Sequence, residues 1–223
     1  MLHLKGIVFS LALPRRRRLT LPDLRALLFR HGVSLLLAAL LLAGLILGAA
    51  YARAADKQTL HALDFLFTTN LDARLGKGGF GIFIACFASD FIFLLSAYLL
   101  GIAAWGMPFL LALVCFKGFG TGVTAGWLCL SHGVSGAGFY LLVLLPGTFL
   151  FCAALVRFSS DAFRFSRRAF TYSLSKSVPA SSLRESLLRF SAQFLTALSV
   201  TFVASLLDAV LWTFFAGTFH FQP

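Results

Sequence analysis

The run VSLLLAALLLAGLILGAAY, residues 33–51, holds nineteen consecutive residues without a charge. A bilayer core of ~30 Å takes about 20 apolar residues of α-helix to cross, so the run reads as a membrane span. Seven basic residues precede it: Lys5, Arg15, Arg16, Arg17, Arg18, Arg25 and Arg30. The small residues around Ala50, Ala52 and Ala54 resemble a leader cleavage site. A secretory leader has an apolar core of only about 7–15 residues, however. The span therefore reads as a retained signal anchor.

Four further apolar runs follow, at residues 82–105, 109–130, 139–156 and 194–215. Composition agrees with this pattern. Hydrophobic residues make up 59% of the 223 and charged residues 12%, against about 25% charged in an ordinary soluble domain. That leaves too few charges to cover a soluble surface. The expected fold class is an all-α polytopic transmembrane bundle of about five spans, with short interfacial amphipathic helices. Residues 1–32 form a basic cytoplasmic segment, 33–217 the membrane domain and 218–223 a short tail.

The net charge of +11 is clustered. A second group of seven Lys/Arg lies between Arg157 and Arg189, interleaved with Phe158, Phe163, Phe165 and Phe170. Basic residues are retained on the cytoplasmic side. Five spans starting from a cytoplasmic N-terminus place both clusters there, with Lys77, His132 and the C-terminus outside the cell membrane. The aromatic-basic stretch reads as interfacial helix against anionic lipid headgroups. Leu60, Leu63, Phe67 and Leu71 recur at helical spacing in the outer segment Ala52–Gly79, as in a surface helix. No aromatic-basic module of a nucleic-acid binder is present, so nucleic acid is excluded as a partner and membrane lipid expected.

Gly118, Gly122 and Gly126 recur every four residues in the third span. Such a face lets another helix backbone approach closely, either within the chain or in a homodimer. Lys117 stands beside it, ten residues past Met107. At 1.5 Å per residue that is ~15 Å along the helix, near mid-membrane. A charge there needs a partner, a wet cavity or a route to the surface. Asp90 and Asp208 are the intramembrane candidates, with Asp208 favoured because the last span lacks other polar anchors at that depth.

Enzymatic motifs fail on context. Gly76, Gly78 and Gly81 match a dinucleotide fingerprint in letters, but they open a span rather than follow a strand. Gly133-Val134-Ser135-Gly136 is one residue short of a nucleophile elbow. Neither a metal-ligand cluster nor a phosphate-binding loop occurs. No catalytic residue, cofactor or metal is expected. Cys86, Cys115, Cys129 and Cys152 all lie in apolar runs and read as small hydrophobes.

The stretch from Leu100-Gly101 through Gly106-Met107-Pro108, then Phe116-Lys117-Gly118-Phe119-Gly120-Thr121-Gly122 to Gly126, resembles the stage II sporulation protein M family. Leu145-Pro146 and, more weakly, Asp208 extend the resemblance. Gly147 stands where the family often has histidine or glutamine, and Asp90 where asparagine is expected. The resemblance implies a membrane scaffold for engulfment during endospore formation. Such a scaffold recruits cell-wall-degrading proteins that thin septal peptidoglycan and is not itself a hydrolase. The alternative is a transporter or permease subunit, with Lys117, Asp90 and Asp208 lining a path.

Overall fold

A computed structural model describes residues 21–55, 78–174 and 180–215, with side chains over 32–55, 78–173 and 184–215. The chain divides into units Met1–Gly32 and Val33–Pro223. The packed bundle belongs to the second. The expected surface helix of the outer segment falls outside the described residues.

The described residues are helical and contain no strand: α1 Leu21–Ala54, α2 Gly79–Ile102, α3 Met107–Phe139, α4 Leu145–Leu174 and α5 Ala180–Phe215, with a π turn at Tyr140–Leu144 between α3 and α4. The all-α helical bundle of a multi-pass membrane protein is thus the observed class. Four continuous stretches are long and apolar enough to cross a membrane, not the five spans expected. The difference lies in the expected third and fourth spans. They form one 67-residue stretch, Met107–Ser173.

That stretch is not straight. Gly133 adopts φ 57° and ψ −131°, a conformation open to glycine and strained for other residues. The chain doubles back there. Leu128 shares a buried cluster with Phe139 and Val143, and the Lys117 ammonium lies 4.8 Å from the Phe151 ring. The expected interruption between the runs 109–130 and 139–156 is therefore a single-residue break, with the helix resuming at once.

The π turn follows from Pro146. Proline has no N–H to donate and its ring crowds the carbonyl four residues back. The helix widens ahead of it, and the Leu145 N–H bonds the Tyr140 carbonyl five residues back.

Between α2 and α3 the chain turns at 103–106. Gly106 caps α3, with Pro108 in its first turn, where the missing N–H costs nothing. A Cβ at Gly106 would overlap the Leu100 carbonyl, so only glycine closes this turn.

The largest core cluster joins α2, α4 and α5. Phe151, Leu155, Phe158, Ala162 and Phe165 form one buried stripe of α4, facing Leu94 and Ala97 of α2 and Phe190 of α5. Phe190 stacks on Tyr98, Phe158 and Phe165 at ring separations of 5.3, 5.3 and 4.9 Å. Ser166 donates to the Ala103 carbonyl at 2.7 Å. This corrects the lipid-facing reading of Phe158 and Phe165 within Arg157–Arg189. Phe158 and Phe165 are core residues, because α4 continues unbroken past Val156 and its 3.6-residue period keeps them in register with Phe151. Arg157, Arg164, Arg167 and Arg168 occupy the exposed side. Helix α5 likewise begins at Ala180, well before the expected Phe194.

Candidate functional site: the charged centre of the bundle

The site is built on the α2–α3 hairpin. Asp90 lies thirteen residues before Ala103, and Lys117 eleven after Gly106. Two antiparallel helices about that turn bring them level. Lys117 Nζ donates to Asp90 Oδ1 at 2.9 Å, and both side chains are only 10% exposed. The ammonium also stands over the Phe93 ring at 4.7 Å and the Phe151 ring at 4.8 Å. Aromatic faces attract a cation, more strongly when it is desolvated. Lys117 is thus held by one carboxylate and two rings, from α2 and α4.

The expected partnership with Asp208 is corrected. Hairpin geometry fixes the Asp90 level relative to Lys117, whereas α5 reaches the centre from the far end of the chain. Asp208 lines the same cavity as the pair, with its carboxylate against the backbone of Gly147. A Cβ at Gly147 would overlap both Asp208 oxygens or their carbon. Glycine at 147 is therefore the space that Asp208 occupies.

The cavity measures about 60 Å³ and is lined by Ser89, Asp90, Lys117, Thr121, Tyr140 and Asp208, among others. A water needs at least ~10–15 Å³ of such space, so there is room for a few waters. Small-molecule pockets run to ~300–1,000 Å³. Thr121 and Thr124 turn their hydroxyls onto carbonyls of their own helix, at 2.8 Å to Gly118 and 3.1 Å to Gly120. Serine and threonine commonly satisfy themselves this way inside helices. Among the described residues no cluster of three or more potential metal ligands occurs.

The glycine face packs within the chain. Added Cβ atoms at Gly118 and Gly122 would overlap the Leu41 and Leu45 carbonyls, and one at Gly126 would meet Ala52 Cβ at 2.8 Å. The partner, α1, answers in kind. Gly44 and Gly48 face the Cys115 and Phe119 carbonyls with no room for a Cβ. The two helices run parallel with their backbones in contact. Gly44-x-x-x-Gly48 was legible as a second small-residue face and went unread. The Phe93 and Phe151 rings carried no sequence signal.

Fold and site together define a multi-pass helical membrane protein with a charged centre paired by its own side chains. The chain belongs to the Stage II sporulation protein M family, which matches residues 6–213. No curated protein and no solved structure matches it.

Proposed function

We propose that this protein is a non-enzymatic membrane scaffold that recruits cell-wall-degrading partners to the septal membrane. Family membership supports a place among sporulation membrane proteins. The observation that favours a scaffold over a permease is the state of the charged centre. Lys117 is consumed by Asp90, Phe93 and Phe151, and the cavity beside it has room for only a few waters. Charges that serve a transported substrate need access to it. Charges locked in an ion pair fix helix register instead, a role attested for some buried polar groups.

The test is co-purification of the tagged chain from mildly solubilised membranes of the cells that make it. Wall-degrading enzymes are expected with wild type and equally with the Lys117→Met/Asp90→Leu double variant. Loss of those enzymes from a well-folded double variant, or their absence from the wild-type complex, overturns the scaffold.

A further inference from the structure

An apolar groove of about 350 Å³ opens laterally between α1 and α4. Ala38, Leu42 and Leu45 form one wall, and Phe149, Ala153 and Val156 the other. Leu42, Phe149 and Ala153 are exposed, so the groove faces the surrounding lipid and not the bundle interior.

Its two ends are at defined depths. Ser34 bonds Ser160 at 2.9 Å, joining α1 to α4 at the start of the α1 apolar run. That bond lies where the α1 apolar run begins, at the expected membrane boundary, and one turn beyond Val156 on α4. From Val156 to Leu145 the α4 wall descends eleven residues, about 16 Å at 1.5 Å per residue. Half of a ~30 Å hydrocarbon core is ~15 Å. The groove therefore runs from the boundary to mid-membrane, the reach of one leaflet. Its deep end meets Thr121, Tyr140 and Thr148, which it shares with the polar cavity, and it goes no further.

Beside the shallow end stands Arg157, next to Val156 and three residues below Ser160. Its side chain is 69% exposed, and Asp161 Oδ2 lies 3.8 Å from Nε. The remaining guanidinium donors are left outward, since arginine carries five. A long basic side chain a few ångströms inside the boundary reaches back to the headgroup level. A hydrocarbon slot one leaflet deep with a cation at its mouth complements an acyl chain attached to an anion.

We propose that the α1–α4 groove binds one anionic diacyl phospholipid, with an acyl chain between the helices and its phosphate on Arg157. The lipid would seal the lateral opening beside Tyr140 and Thr148 and separate the cavity of the charged centre from the bilayer. This holds whether or not the protein is a scaffold.

The full chain is reconstituted in bilayer discs containing phosphatidylglycerol and phosphatidylethanolamine in equal amounts. Native mass spectrometry then counts the lipids retained after mild delipidation. One retained phosphatidylglycerol per chain is expected, preferred over phosphatidylethanolamine by about fivefold, the worth of one arginine at an anionic surface. Arg157→Gln abolishes the preference, while Arg189→Gln, on a helix that does not line the groove, keeps it. Ala153→Phe fills the slot and removes the retained lipid. Should that variant misfold, phosphatidylglycerol with a photoreactive acyl chain answers the same question in wild type. Labels concentrated on Leu42, Phe149 and Ala153 support the site. Labels spread evenly over all outward helices, a groove shielded by a second copy of the chain, or an Arg157→Gln protein with unchanged preference would overturn it.

Discussion

Lys117 and Asp90 meet at 2.9 Å in the centre of the bundle, eleven and thirteen residues from the two sides of one turn. The pair is thus set by the α2–α3 hairpin, the most local tertiary unit that could set it. Of its two rings, Phe93 belongs to the same hairpin and only Phe151 comes from farther away, on α4. Removing one member leaves the other charge buried, typically at a cost of ~3–5 kcal/mol, whereas removing both is often tolerated. Lys117→Met and Asp90→Leu should each lower the unfolding midpoint in detergent and the level in the membrane. The double variant should recover most of both. Single variants as stable as wild type would show that the pair contributes nothing.

Gly147 and Asp208 make a second coupled pair. Gly147→Ala places a methyl where the Asp208 carboxylate lies. Overpacking of this kind usually costs ~1–3 kcal/mol. Combined with Asp208→Ala, which vacates the space, the alanine at 147 should cost almost nothing further. A double-mutant cycle on thermal unfolding reads the coupling. Additive effects would mean that the two positions do not touch.

The α1–α3 contact should fail from either side. Gly122→Leu and Gly48→Leu each push a side chain into the facing backbone. Ala112→Leu adds the same bulk to α3 at an exposed position. Both glycine variants should unfold at lower denaturant than Ala112→Leu. Equal midpoints for the three would count against backbone contact between these helices.

Topology can be read from the two turns of α3. Val134 is 90% exposed beside the Gly133 break, and Trp105 is 76% exposed in the α2–α3 turn. A helix of about 39 Å, twenty-six residues from Met107 to His132 at 1.5 Å each, separates them. In a background with the four cysteines replaced by alanine, Val134→Cys should react with an impermeant thiol reagent in intact cells. Trp105→Cys should react only after rupture. Equal reactivity at both would place the two turns on one side and defeat the crossing.

Sequence alone determined the class. With 12% charged residues and apolar runs of span length, no soluble packing is open to this chain, and hydrocarbon tolerates only backbones that bond internally. It also determined that the glycines at 118, 122 and 126 need a close backbone neighbour, and that Lys117 needs a partner, a wet cavity or a route to the surface. The tertiary structure decided which neighbour and which of these. Helical periodicity fixes the residues sharing one face of one helix, but not the helix that face meets. That depends on how whole helices pair. The α1 glycines answered the first question, and the α2–α3 hairpin gave Asp90 for the second. The same limit hid the aromatic core. Phe158 and Phe165 stand between arginines in the sequence and looked interfacial, until an unbroken α4 turned one side to Phe190 and the other outward. It also hid the break at Gly133, since one residue with positive φ reverses a helix while leaving its composition uniform.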